Sequence, residues 1–142
     1  MGNDHNYVLD QQIGHMLRRA HQRASAIFKA NFAAHELTPT QFAAMVKIAD
    51  EGEVSQNLLG RLTAMDPATM KGVIGRLHGR RLITRKQDTS DRRRTLWSLT
   101  AAGERLIGKA IGEGLETSDQ TLAPLNSKER KTLQALLSRL TS

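Results

Sequence analysis

At 142 residues the chain has the length of one domain, and an apolar fraction of 39% gives a modest core that favours self-association. It has no cysteine, which excludes disulfide frameworks, cysteine nucleophiles and thiol redox sensing. Its few aromatics (Tyr7, Phe28, Phe32, Phe42, Trp97) argue against the stacking platforms of single-strand and RNA binders. The formal charge of +7 is concentrated: Arg61 to Arg94 holds ten basic and three acidic residues, which is the net charge of the whole chain. A neutral body with one basic segment points to a polyanion bound at one place.

The first predicted element is a long helix from Val8 to about Ala34, with Ile13, Met16, Leu17, Ala20, Ala24, Ile27 and Phe28 on one face. His15, Arg18, Arg19 and Gln22 fall on the other. Such a helix exceeds what a small core covers, so part of it is expected to pack on a second subunit. Thr38-Pro39-Thr40-Gln41 is a capping box with proline at the first helical position, and Leu37 and Phe42 are placed as a hydrophobic staple. Ser55 caps a short third helix, Gln56 to Thr63, with Leu58, Leu59 and Leu62 inward. After a break at Ala64-Met65, Asp66-Pro67 starts a fourth helix whose apolar residues are Met70, Val73, Ile74 and Leu77. Two helices joined by so short a turn predict a helix-turn-helix.

The period then changes. Leu82 to Lys86 and Thr95 to Leu99 read as two strands around a polar, charged tip, Gln87 to Arg94: a β-hairpin wing. Thr100 caps a fifth helix from Ala101. Asn126 and Glu129 form a capping box for a last helix with Leu133, Leu136, Leu137 and Leu140 on its apolar face. The expected fold is mainly α with a small β wing: a winged helix-turn-helix over 38–99, enclosed by helices at 8–34 and 101–140, which the family resemblance given below makes dimerisation helices.

In such a module the start of the second helix reaches base edges in the major groove. The face opposite the core carries Ala68, Gly72, Gly75, Arg76 and Gly79, flanked by Thr69 and Lys71. Glycines in a helix cost roughly 0.5–1 kcal/mol each relative to alanine. A smooth face lets the helix backbone approach the groove walls, with Lys71, Arg76 and Thr69 reaching guanine or phosphate; the alternative is drift on a solvated face. Arg92, Arg93 and Arg94 at the hairpin tip suit a minor groove or phosphates, with Asp88 and Asp91 as braces. The alternative there is a solvated charged turn.

Asp88-x-x-Asp91-Arg92-Arg93, followed by Leu99-Thr100-x-x-Gly103, resembles the wing and post-wing signature of the MarR family of winged-helix regulators. Leu37 to Phe42, Arg76-Leu77 and Arg81-Leu82-Ile83 extend the resemblance over essentially the whole chain. It implies a homodimer whose terminal helices (Val8 to Ala34, Asn126 to Leu140) intertwine and whose two modules bind pseudo-palindromic double-stranded DNA. It also implies Arg92 as the minor-groove residue and Arg93–Asp91 as a bracing pair. The glycine-rich recognition face departs from the family's usual Ser, Thr or Arg and leaves the base contacts open.

The same resemblance implies a small aromatic acid as effector, in a pocket needing cations and apolar walls. His15, Arg18 and Arg19 are the candidate polar groups, Phe42 and Met45 the candidate walls; the alternative is that the charged residues form a solvated face. Tyr7-Val8-Leu9-Asp10-Gln11-Gln12-x-Gly14, with Gln22-Arg23 and Ile27-Phe28, is similar to members that repress nicotinate degradation and respond to 6-hydroxynicotinate. The expectation is a repressor released by such a carboxylate. A ligand-independent repressor and a non-specific nucleoid-binding structural protein are the alternatives.

No enzyme, metal or cofactor signature appears. The five histidines are dispersed, and neither HExxH nor a Walker loop occurs. No run of about 18 apolar residues exists to span a membrane, and Met1 to Asn6 lacks the apolar core of a signal peptide. The expected location is the bacterial cytoplasm, at the nucleoid.

Overall fold

A computed structural model describes residues 4–141. Part of the polar start read above, Met1 to Asn3, lies outside the described residues. The chain forms α1 (Ile13–Phe32), α2 (Pro39–Glu51), β1 (Val54–Ser55), α3 (Gln56–Leu62), α4 (Pro67–Gly79), β2 (Ile83–Gln87), β3 (Thr95–Leu99), α5 (Ala101–Thr121) and α6 (Ser127–Leu140). It divides into two compact units: Phe32–Glu113, and the two segments flanking it in sequence.

The central unit is the winged module, and its helices start where the caps predict. Thr38 and Gln41 exchange both bonds of a capping box. Ser55 Oγ accepts from the Leu58 amide, and Asp66 Oδ1 from the Thr69 amide at 2.8 Å. The core gathers Met45, Ile48, Leu59, Met70, Ile74, Leu77, Ile83 and Trp97, all buried. His78 meets the Trp97 ring edge-on at 5.2 Å, fixing α4 over the sheet. Leu62, expected inward, is 36% exposed: it sits in the last turn of α3, past the core.

The wing is a three-stranded antiparallel sheet rather than an isolated hairpin. Its order is β1-β3-β2, with Val54 opposite Trp97 and Arg85 opposite Trp97 on the other side. β1 is two residues long, too short for period-two patterning to register.

Where the fifth helix leaves the sheet, the Thr100-x-x-Gly103 motif has a steric cause. The Thr100 amide donates to the Leu82 carbonyl at 3.0 Å, and Thr100 Oγ1 donates to the Arg81 carbonyl at 2.7 Å. That hydroxyl also accepts from the Gly103 amide as the helix cap. A Cβ on Gly103 would lie 2.1 Å from the Leu82 carbonyl oxygen, so only glycine fits.

In the flanking unit, α1 is shorter than the predicted Val8 to Ala34. Single 3-10 turns, Leu9–Gln11 and Ala33–His35, bound it, because Gln12 is extended and Glu36 adopts a left-handed conformation (φ 53°). Asn31 Nδ2 donates to Thr117 Oγ1 and Gln120 Oε1, and Arg23 to the carbonyls of Gln120 and Thr121, which ties α1 to the end of α5. α6 opens on the predicted Asn126–Glu129 capping box. Ile13, Met16, Leu115, Leu136 and Leu140 remain at least half exposed.

Candidate DNA-binding interface

The turn between α3 and α4 is set by backbone geometry. Gly60 is buried, and a Cβ there would lie 3.3 Å from the Met65 carbonyl, while the Met65 amide donates to the Gly60 carbonyl at 3.0 Å. Ala64 takes the left-handed conformation (φ 54°) that turns the chain into Asp66, an unfavourable state for a residue with a Cβ. The hydrogen bonds from the Thr69 amide and hydroxyl hold the Asp66 carboxyl below the usual carboxylate range.

α4 buries Met70, Val73, Ile74 and Leu77 and exposes Ala68, Thr69, Lys71, Gly72, Gly75, Arg76 and Gly79. Ala68, Thr69, Gly72 and Arg76 line one shallow recess with Thr38 and Thr40 from the start of α2. The proximity of Thr40 comes from helix packing and has no sequence signal. Thr69 is partly committed, because its hydroxyl donates to Asp66 Oδ2 at 2.9 Å. Outside the helix's own backbone, no group among the described residues lies within 4 Å of where a Cβ would stand on Gly72, Gly75 or Gly79. The module's own packing therefore does not demand these glycines.

The wing tip is built from two successive aspartate turns. Asp88 Oδ1 accepts from the Ser90 amide and hydroxyl at 3.0 and 2.8 Å, and Asp91 Oδ1 accepts from the Arg93 amide at 3.0 Å. The Asp88 amide and Arg94 carbonyl close the loop at 2.8 Å. Asp88 is buried and also pairs with Arg94 Nε at 3.2 Å; Asp91 pairs with Arg93 Nε at 3.5 Å. The Ser90 bonds first, then Arg94, hold the Asp88 carboxyl below its ordinary range. Arg92 is left as the exposed tip residue with no side-chain partner among the described residues, while its carbonyl accepts from Gln87 Nε2.

Of the basic residues in Arg61–Arg94, several serve the fold. Arg80 donates to the carbonyls of Glu36 and His35 at 2.7 and 3.2 Å, and Lys86 pairs with Glu53. Arg61, Lys71, Arg76, Arg81, Arg85 and Arg92 are exposed with no acidic partner among the described residues. Nothing in the sequence sets Arg61 and Arg85 apart from the other basic residues of this segment. Their signal there was net charge alone, which does not say which cations are already paired.

The expected effector residues are spread over both units. Met45 is fully buried in the module core, and Phe42 packs on Phe32 with ring centroids 4.7 Å apart. In the flanking unit His15 and Arg18 line a recess of about 530 Å3 with Tyr7, Leu9 and Gln12. Arg19 turns to Asp10 at 3.9 Å, and His15 lies 3.6 Å from the same carboxylate. Arg18 has no acidic partner among the described residues.

A short-turned pair of helices, the second with an open polar face, followed by an arginine-tipped wing, defines a winged helix-turn-helix DNA-binding protein. The pattern of the MarR family matches residues 37–95. Over 94% of this chain and 85% of the relative, the sequence is 35% identical to the HTH-type transcriptional repressor NicR of Pseudomonas putida. A probable transcriptional regulator from Pseudomonas aeruginosa is 48% identical, with a TM-score of 0.91 over 94% of this chain and 99% of that one. BpsR of Bordetella bronchiseptica, solved in a study of how 6-hydroxynicotinic acid regulates its DNA binding, is 35% identical with a TM-score of 0.92, covering 97% and 99%. The chain belongs to the MarR family and is a DNA-binding transcriptional regulator, not an enzyme. No helix among the described residues is long and apolar enough to cross a membrane.

Proposed function

We propose that this protein is a homodimeric repressor whose hold on a pseudo-palindromic operator is released by a small aromatic carboxylate of the 6-hydroxynicotinate type, in control of nicotinate breakdown. The observation that carries the effector is Arg18. Its guanidinium stands uncommitted in a recess with the Tyr7 ring and the His15 imidazole, a cation beside an aromatic wall. An aromatic acid requires that pairing, because its carboxylate needs a forked donor and its ring a flat surface. The likeness to BpsR supports the choice of ligand.

The flanking unit supports dimerisation. Ile13, Met16, Leu115, Leu136 and Leu140 together leave more apolar side chain in water than a monomer favours. A second copy covers such a surface and sets two modules on two half-sites, about 34–36 Å apart for one turn of DNA. In each module Ala68, Thr69, Lys71, Gly72 and Arg76 face the major groove and Arg92 enters the minor groove, with Asp88 and Asp91 holding the tip. Release is a population shift: the acid binds better to the arrangement whose modules do not match the operator.

The test is a titration of the complex with a duplex selected from a random pool. 6-Hydroxynicotinate is expected to release the protein, and Arg18→Gln to keep operator affinity while losing most of the response. Full response in the variant refutes the site. No response to any aromatic acid in the wild type leaves a ligand-independent repressor. Equal affinity for operator and random DNA makes the protein a non-specific binder.

A further inference from the structure

We propose that Arg61 and Arg85 form a second phosphate-gripping station, between α3 and the wing, distinct from the recognition helix and the wing tip. The inference rests on the DNA-binding reading of the module. Arg61 comes from the last turn of α3 and Arg85 from the middle of β2, elements joined only through tertiary structure. Both line one cleft of about 460 Å3, with Gln56, Asn57, Arg93 and Arg94 on its walls and no acidic residue among those lining it.

Charge pairing decides which of these cations are available. Arg93 and Arg94 are each held by a wing aspartate. Arg85 and Lys86 are adjacent, but alternation along β2 sends them to opposite faces. Lys86 pairs with Glu53 beside β1, whereas Arg85 lies on the face of its partner Trp97 and meets no carboxylate among the described residues. The cleft thus holds two uncompensated guanidinium groups plus the amides of Gln56 and Asn57. This donor set fits the non-bridging oxygens of a phosphodiester, which guanidinium forks bind in two-pronged fashion. Contacts of this kind set register on the duplex and carry no sequence information.

Phosphate contacts release counterions, so each one steepens the fall of affinity with salt by about 0.9 in the double-logarithmic slope. Binding of a labelled random-sequence duplex and of the selected operator is measured by fluorescence anisotropy for wild type, Arg61→Gln, Arg85→Gln, the double variant and Lys86→Gln. Each single arginine change is expected to flatten the slope by about 0.9, which is about 3.5-fold less affinity lost between 50 and 200 mM salt; the double variant flattens it by about 1.8. The preference for operator over random DNA stays as in wild type, Arg85→Lys keeps the slope, and Lys86→Gln leaves it unchanged. Unchanged slopes in both single variants, with wild-type circular dichroism, overturn the proposal alone. So does a collapse of operator preference. A wild type with no salt-dependent affinity for either duplex sinks the DNA-binding reading with it.

Discussion

Gly103→Ala separates two opposed expectations about one residue. By helix propensity the change is favourable, by roughly 0.5–1 kcal/mol, because Gly103 lies in the first turn of α5. By packing it is forbidden, since the new Cβ would stand 2.1 Å from the Leu82 carbonyl oxygen and 3.1 Å from its carbon. Neither neighbour is a flexible side-chain end, so the helix must retreat by about 1 Å, an overpacking cost of roughly 1–3 kcal/mol. Retreat also stretches the 3.0 and 2.7 Å bonds from Thr100 to the carbonyls of Leu82 and Arg81, at about 1 kcal/mol each. The net expectation is a loss of about 2–4 kcal/mol, or about 10 °C in Tm for a chain of this length. Thermal and urea denaturation at one fixed protein concentration reads it, because the proposed dimer would make Tm concentration-dependent. Gly75→Ala is the control: with nothing outside its own helix backbone within 4 Å of its Cβ among the described residues, it should gain roughly 0.5–1 kcal/mol from propensity alone. An unchanged or raised Tm for Gly103→Ala refutes the close-approach argument.

Two further outcomes follow from the wing and the caps. Arg92→Ala should weaken operator binding with no change in Tm, most where the flanking minor groove is narrow; a loss under about 0.5 kcal/mol by anisotropy removes the tip from the mechanism. Acid should destabilise the protein through Asp66, Asp88 and Glu113, each held below its ordinary range, by Thr69, by Ser90 and Arg94, and by the His35 hydrogen bond respectively. The unfolded chain binds these protons first, so their stabilisation is complete above the unfolded carboxylate pKa near 4 and is lost as pH falls through the lower folded values. Urea midpoints from about pH 5 downward should therefore fall less steeply in an Asp66→Asn, Asp88→Asn double variant; parallel curves count against these bonds.

What the sequence alone determined is whatever acts over three or four residues. Thr38, Asp66 and Asn126 bind amides three positions on, so each helix start was written locally. The buried quartet Met70, Val73, Ile74 and Leu77 follows from helical period, and Asp88-x-x-Asp91 closes on amides two residues away. Tertiary structure decided what depends on partners distant in sequence. β1 exists only because Val54 and Ser55 pair with Trp97 and Leu96. Gly103 is required by the carbonyl of Leu82, a residue that no helical spacing places near it. Above all, the ten basic residues between Arg61 and Arg94 could be counted but not sorted. Glu53, His35 and Glu36 claim Lys86 and Arg80 across the fold. Arg61 and Arg85 come to line one cleft because a helix and a strand pack beside each other. A net charge is a sum over residues, but the force it exerts on DNA comes from the cations that folding leaves unpaired.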